Sequence, residues 1–203
     1  MQKSLNTVLA TVELAIAIAL FPVKPATTEW NRRTLVDVKD TLNVFWGSFF
    51  QKLRVPYRFP KVYLHAQGEP TPCGEVEIAH YCPMTNTVHL DMDGMSQLAF
   101  KFGDSAAYIV LAHEYGHSVQ RFLGLSNRIP TRTKELQADC LAGAFFAGSE
   151  YAGLLERGDL EEAILSAFNS GDNEYSNPNH HGTPRECAAA FARGFDDPRA
   201  CFN

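Results

Sequence analysis

The feature that most constrains this chain is the pentapeptide His113-Glu114-Tyr115-Gly116-His117, which has the pattern H-E-x-x-H. On an α-helix, positions four apart lie about 40° from each other, so both imidazoles can reach one common atom. Glu114 lies beside them, close enough to act on a water at that atom. This spacing is how a helix binds Zn²⁺ with a general base in reach.

The sequence around the motif predicts the helix that it needs. Asp104-Ser105 has the character of an N-cap, and apolar residues then recur with a helical period as far as Leu123. Gly124 follows as a typical stop signal. We therefore predict a helix over residues 105–123, with the motif near its middle.

A second helical pattern, which opens near Thr133, contains the expected third ligand. Glu135 and Asp139 are four residues apart and so lie on one face of this helix. We predict that Glu135 binds the zinc ion and that Asp139 accepts a hydrogen bond from a ligand imidazole. The alternative for this pair is a solvated acidic face, but the apolar residues around it favour a largely buried helix.

Composition and charge narrow the class of protein. The chain has 203 residues, of which 45% are hydrophobic and 20% charged, and this is enough for one well-cored domain. A formal net charge of -5 and the lack of a basic run argue against a nucleic-acid partner. We assign residues 31–203 to this single domain, because no linker long enough to divide them is evident.

Residues 1–30 contain an apolar segment outside that domain. It resembles a short secretory signal, which would predict an exported protein, either periplasmic, secreted or membrane-associated. The competing interpretation is an amphipathic helix that packs on the domain or associates with a membrane surface.

The cysteines are Cys73, Cys82, Cys140, Cys187 and Cys201. The first two flank a short loop, which suits a local disulfide. Cys140 can pair with either Cys187 or Cys201, and one thiol is left over. The alternative is that all five are buried and reduced. Since none has C-x-x-C spacing, we do not expect a cysteine zinc site.

The rest of the chain predicts an α+β domain in which three short strands precede a helical half. The predicted elements before the motif are a core helix over 34–53, strands over 61–65, 75–82 and 87–91, and a short helix over 95–102.

Two further helices are predicted from the capping residues at their N-termini. Asp159 is a candidate N-cap, and Glu162, three residues later, completes the pattern of a capping box. Thr183 as N-cap, Pro184 at the first helical position and Glu186 at the third open the last helix.

Further motifs accompany the H-E-x-x-H helix in order over about two thirds of the chain. They are Thr71-Pro72-Cys73-Gly74, Tyr81-Cys82-Pro83, Val88-His89-Leu90-Asp91, Glu135-Leu136-Gln137-Ala138-Asp139-Cys140, Gly158-Asp159-Leu160-Glu161-Glu162-Ala163, His181-Gly182-Thr183, and Asp197-Pro198 with Cys201. Together they resemble the bacterial "putative neutral zinc metallopeptidase" family, which is similar to the gluzincins. The resemblance implies a single, mainly helical, zincin-like metalloprotease domain, with a small antiparallel sheet packed on the motif helix. It also implies Glu135 as the third zinc ligand and Asp139 as the residue that supports a ligand histidine.

These residues predict a mechanism for a peptide or protein substrate. The three predicted ligands leave a fourth position on one zinc ion open to water, and Glu114 acts as the general base. His181 is the candidate that stabilises the oxyanion, His180 is equally suited by its chemistry, and a surface histidine is the alternative for both. We expect His89 to be structural or to line the cleft. Residues 88–91 are the candidate edge strand that pairs with an extended substrate.

Two alternative functions stay open. In a non-enzymatic, zinc-stabilised binding domain the ion only joins two helices, and Asp139 or His181 would close its coordination; such a site has no use for Glu114. A zinc amidase that acts on cell-wall stem peptides would use the same residues as a peptidase.

Overall fold

The computed structural model describes residues 32–125, 129–177 and 180–202, and it confirms the α+β class. The elements are, in chain order, α1 (Arg32–Leu53), β1 (Lys61–His65), β2 (Pro70–Thr71), β3 (Gly74–Glu75), β4 (Ala79–Cys82), β5 (Thr87–Asp91), α2 (Met92–Phe102), α3 (Ser105–Phe122), α4 (Thr131–Tyr151), α5 (Asp159–Ser170), α6 (Pro184–Asp196) and a 3₁₀ helix (Pro198–Phe202). The strand predicted over 75–82 is shorter, because Val76 forms two backbone hydrogen bonds with residues 68 and 69 and so closes a separate hairpin.

Three of the strands form the main sheet, in the order β1-β5-β4. β4 runs antiparallel to β5, but β1 runs parallel to it, with Val62 opposite Val88. The sheet that was expected to be antiparallel is therefore mixed. The connection from β1 to β5 is long enough for the crossover that a parallel pair requires.

The strand order corrects a second expectation. Residues 88–91 belong to β5, which is the central strand and is paired on both edges. They therefore have no free edge for a substrate, and the prediction that they form the substrate-pairing strand is wrong. β4 is an edge strand of this sheet.

The helix α3 lies at the centre of the helical half. Leu111, Ala112, Tyr115 and Val119 are wholly buried. The phenol of Tyr115 donates a hydrogen bond to the side-chain oxygen of Asn43 in α1, at 3.1 Å. The Tyr115 side chain is thus part of the core.

Small residues allow α4 and α6 to approach each other closely. A Cβ atom on Gly143 would collide with the carbonyl group of Phe191, and one on Gly194 would collide with the carbonyl group of Cys140. The two backbones therefore meet without intervening side chains. Because such close-packed interiors are hardly compressible, this contact fixes the position of the helix that carries Glu135.

Two disulfides are present. Cys73 pairs with Cys82, as predicted, and Cys140 pairs with Cys201, which was one of its two candidate partners. Cys187 is left as a buried free thiol. The second bond fixes the terminal 3₁₀ helix on α4. Such disulfides are typical of proteins in an oxidising environment.

Asp104 is the N-cap residue of α3, as predicted, but its side chain makes no capping hydrogen bond, and another helix supplies the cap. Asp104 has helical backbone angles, and its carboxylate accepts a hydrogen bond from the Tyr108 hydroxyl at 2.7 Å. The backbone amide of Ser105 instead donates to Glu162 Oε2 at 3.3 Å. The sequence neighbours of α3 contain no signal for this long-range cap.

The prediction for the start of α5 is wrong, whereas that for α6 is confirmed. Gly158 is the N-cap of α5, and Asp159 is its first helical residue. The Glu162 carboxylate accepts a hydrogen bond from the first residue of α3 and does not form a capping box in its own helix. At α6, Thr183 and Glu186 form the predicted capping box in both directions.

Residues 1–31 lie outside the described residues, so the expectation of a signal or membrane-associated segment there stays a prediction. None of the helices that the structure describes combines the length and the apolarity needed to cross a membrane.

Candidate metal centre

The helices α3 and α4 bring together the three predicted metal ligands. One donor atom each from His113, His117 and Glu135 can be chosen so that all lie within 4.8 Å of one another. Glu135 Oε2 is 3.2 Å from His113 Nε2 and 3.0 Å from His117 Nε2. Two imidazole nitrogens and one carboxylate oxygen suit Zn²⁺ and leave a fourth position for water.

A glycine inside the motif sets the distance between the two helices. Gly116 faces Ala138 of α4, and a Cβ atom on the glycine would lie 3.1 Å from both the Cα atom and the carbonyl oxygen of Ala138. These contacts are tighter than ordinary van der Waals packing. The missing side chain therefore lets α4 approach closely enough for Glu135 to reach both imidazoles.

Each ligand imidazole is held through its other nitrogen. His113 Nδ1 lies 2.8 Å from Asp139 Oδ1, and His117 Nδ1 lies 2.9 Å from Gln120 Oε1. Both partners can accept a hydrogen bond from the ring, so that Nε2, which is directed at Glu135, is the nitrogen available to a metal ion. Asp139 thus makes the contact that was predicted for it.

The contribution of Gln120 was missed by the sequence reasoning. It follows His117 by three residues. This spacing places the two side chains on one helix face, and it is the sequence signal that could have identified Gln120. Gln120 is wholly buried, and its amide nitrogen donates to the carbonyl oxygen of Lys134 at 2.7 Å and to Gln137 Oε1 at 3.0 Å. Gln137 in turn donates to the carbonyl oxygen of Cys201 at 2.8 Å. A chain of hydrogen bonds therefore joins the ligand His117 to the disulfide-fixed end of the domain.

The charges at this centre balance one another. Burial alone would raise the pKa of Glu135, but the imidazoles of His117 and His113 outweigh it and lower that pKa. Burial lowers the pKa of His113, but Asp139 and Glu135 raise it well above its ordinary value. The carboxylates thus stabilise positive charge between the helices, and a divalent cation can take the place of the imidazole protons.

Glu114 lies in the lining of a cleft of about 360 Å³ and is 7% exposed. The apolar part of the lining consists of Ile78, Ala79, Leu98, Ile109, Val110 and Ala167. The other polar residues of the lining include His113 and His181. Glu114 therefore faces the same space as one of the predicted ligands, as a general base must.

The two adjacent candidate histidines have different surroundings. His181 is 46% exposed, its Nε2 lies 4.0 Å from Glu135 Oε2, and its ring centroid is 6.2 Å from that of His113. His180 is buried and bonds through Nδ1 to Asp172 Oδ1 at 2.6 Å. Of the two, His181 is the one that adjoins the metal centre.

His89 lies in a different group of histidines. Its Nδ1 is 2.8 Å from His65 Nε2, and its ring centroid is 5.1 Å from that of His80. It is absent from the lining of the cleft described above. Its contacts agree with the structural alternative that the sequence suggested.

The fold and the site define a class: an α+β protein with an H-E-x-x-H helix, a glutamate donor from the next helix, and a cleft beside them. Comparison with known families then identifies the group within that class. Residues 22–201 match the family described as "Putative neutral zinc metallopeptidase", and the chain belongs to this family.

Several curated proteins are similar to this chain. It is 35% identical over 188 residues to "Uncharacterized protein YpfJ" of Escherichia coli (strain K12), a match that covers 77% of this chain and 65% of that protein. It is 31% identical over 182 residues to "Uncharacterized protein Rv2575" of Mycobacterium tuberculosis (strain ATCC 25618 / H37Rv), covering 71% and 62%. The matched region is thus slightly less than two thirds of the length of these relatives. No solved structure matches the chain.

Proposed function

We propose that this protein is a zinc-dependent peptidase, of the endopeptidase type, that hydrolyses peptide bonds with Glu114 as its general base. The observation that carries this proposal is the convergence of His113, His117 and Glu135 beside a cleft that Glu114 also lines. Membership of a family described as zinc metallopeptidases supports both the metal and the reaction.

The residues of the site have separate roles in hydrolysis. Zinc bound by the three ligands supplies a Lewis acid, which lowers the pKa of water from 15.7 to about 7. Glu114 accepts a proton from the attacking water and then delivers that proton to the leaving amine nitrogen. His181 donates a hydrogen bond to the carbonyl oxygen while negative charge develops on it.

The edge of the sheet offers a place for the substrate backbone. Residues 77–79 lie at and just before the start of the edge strand β4, and all three line the cleft. An extended peptide can add to such an edge through main-chain hydrogen bonds, while alternate side chains enter pockets. Because the adjoining lining is largely apolar, we propose a preference for an apolar residue next to the scissile bond.

Two contacts support a peptidase over a purely structural zinc site. The Asp139 carboxylate accepts a hydrogen bond from His113 Nδ1, so it is not available to close the coordination sphere of zinc. Glu114, which a structural site does not need, lines the cleft. A zinc amidase acting on cell-wall stem peptides would share every one of these residues, and only the choice of substrate separates it from a peptidase.

We further propose that the protein acts outside the cytoplasm. The two disulfides support this, because such bonds form and persist in oxidising compartments.

The test is cleavage of casein and of fluorogenic peptides by the zinc-loaded wild type and by Glu114→Gln. The variant is expected to lose about 10²–10⁴-fold in kcat/KM, because general acid–base catalysis contributes that much. Its zinc content per chain is expected to equal that of the wild type. Glu150→Gln, at an exposed position in α4, is the matched control and should retain both properties.

Equal cleavage by the wild type and Glu114→Gln would overturn the peptidase proposal. Removal of zinc with a chelator should abolish activity, and added zinc should restore it. Turnover of stem peptides without turnover of casein or the fluorogenic peptides would identify the amidase alternative.

A further inference from the structure

A second group of acidic side chains lies at the N-terminal end of α3, about two helical turns before His113. Oxygens of Asp104, Asp159 and Glu162 can be chosen that all lie within 4.8 Å of one another. Asp159 and Glu162 are buried, and Asp104 is partly buried. The group shares no residue with the metal centre between α3 and α4.

The like charges in this group are poorly compensated. Burial raises the pKa of Glu162 to about 7, and the nearby carboxylates of Asp104, Asp159 and Glu161 act in the same direction. The backbone amide of Ser105 acts in the opposite direction on Glu162, as does that of Glu156 on Asp159. Among the described residues, the ion pairs formed by Lys and Arg involve none of the three clustered carboxylates.

A buried hydroxyl oxygen beside these carboxylates is also without a partner. Ser105 is wholly buried, and its Oγ makes no hydrogen bond of normal geometry. It nevertheless lies close enough to Asp159 to favour the charged carboxylate. Buried polar atoms in proteins nearly always have a hydrogen-bond partner or bind an ion. This oxygen therefore points to a ligand at the same place as the three carboxylates.

The backbone at Gly103 leaves room for the Glu162 carboxylate. Gly103 has a φ of +101°, a conformation that side-chain-bearing residues rarely adopt. The Glu162 carboxylate occupies the space in which a Cβ atom on Gly103 would lie. The glycine thus allows the carboxylate of α5 to reach the first turn of α3.

We propose that Asp104, Ser105, Asp159 and Glu162 form a calcium site that joins the start of α3 to the start of α5. All four donors are oxygens, which Ca²⁺ prefers, whereas zinc sites usually include nitrogen or sulfur. Calcium–oxygen distances of about 2.3–2.6 Å allow ligand oxygens to lie up to about 5 Å apart. Mg²⁺ is less suited to this group, because it dehydrates reluctantly and is usually bound through only one or two carboxylates.

The direct test uses terbium, a luminescent substitute for calcium, with the full chain carrying one equivalent of zinc. The hydroxyl of Tyr108 bonds to Asp104 Oδ2 at 2.7 Å, so the phenol adjoins the proposed site and can transfer excitation to a bound Tb³⁺. We expect sensitised emission that saturates at one Tb³⁺ per chain and that Ca²⁺ reverses in competition. We expect a Kd for calcium of about 10⁻⁴–10⁻³ M, as for extracellular modules.

Thermal unfolding gives a second readout and the control variants. At about tenfold excess of Ca²⁺ over its Kd, the Tm of the wild type should rise by about 3–6 °C. Glu162→Gln and Asp159→Asn should each lose this rise and the terbium signal, while Glu161→Gln, at an exposed position in the same turn, should keep both.

A wild type whose Tm does not respond to Ca²⁺, or a Glu162→Gln variant that responds as the wild type does, would overturn the calcium site. If the two site variants do not fold, the wild-type terbium titration decides: absence of saturable, calcium-reversible emission would overturn the proposal. Neither readout depends on peptide cleavage, so its failure is distinguishable from a failure of the proposed peptidase.

Discussion

Two buried glutamates beside α3 show how neighbouring charges decide what a carboxylate does. Glu135 and Glu162 are almost equally buried, with 6% and 8% of their surface exposed. The imidazoles of His117 and His113 overcome the effect of burial on Glu135 and lower its pKa, whereas burial and neighbouring carboxylates raise the pKa of Glu162 to about 7. The first site combines nitrogen and oxygen donors and the second has oxygen donors only, so the two are expected to select different metals.

We expect the largest effect from His117→Ala, which should weaken zinc binding and leave calcium binding unchanged. This variant removes one of three zinc donors, so zinc affinity should fall by well over 100-fold, more than the loss typical for a supporting residue. Competition with a chromophoric chelator measures this affinity. The calcium-dependent rise in Tm should persist in the variant, because His117 contributes nothing to the oxygen cluster. Loss of both responses would contradict the independence of the two sites.

A smaller effect is expected from Asp139→Asn. The replacement preserves shape but removes the charge that accepts the hydrogen bond from His113 Nδ1. Zinc affinity should fall by about 10–100-fold in the same chelator assay. Asp37→Asn, at an exposed position of α1, is the control and should bind zinc as the wild type does. An unchanged affinity in Asp139→Asn would show that this hydrogen bond does not support the ligand.

The smallest effect concerns the pH dependence of stability in calcium-free protein. Since the pKa of Glu162 is raised from 4.5 to about 7 on folding, the folded chain binds a proton that the unfolded chain releases in this window. The contribution of Glu162 to stability is therefore full below pH 4.5 and is lost as the pH rises to about 7. Glu162→Gln should flatten this fall in Tm by several degrees. Identical pH profiles for Glu162→Gln and the wild type would refute the raised pKa.

The parts of the site that depend on spacing within one helix could be predicted from the sequence. His113 and His117 are four residues apart, as are Glu135 and Asp139, and the helical period alone places each pair on one face. The close packing at Gly116 then brings the two faces together. The motif itself did not show how near α4 would lie, because that distance depends on Ala138.

The parts that depend on contacts between distant segments could not be predicted. Asp104 and Asp159 have the residue type of N-caps, but Glu162 reaches the start of α3 from α5 and the acidic cluster forms there instead. Likewise, the sequence predicted a strand over residues 87–91, but it did not show whether this strand would be central or at an edge. Only the parallel pairing with β1 shows that β5 is central.

The most direct test of the account is X-ray absorption at the zinc edge of the zinc-loaded protein. His181 is the donor to examine, because its Nε2 lies only 4.0 Å from Glu135 Oε2. We predict two imidazole nitrogens and oxygen ligands that include an exchangeable water, with a spectrum unchanged in His181→Ala. A third imidazole that disappears in His181→Ala would show a closed, structural site and would contradict the proposed catalytic centre.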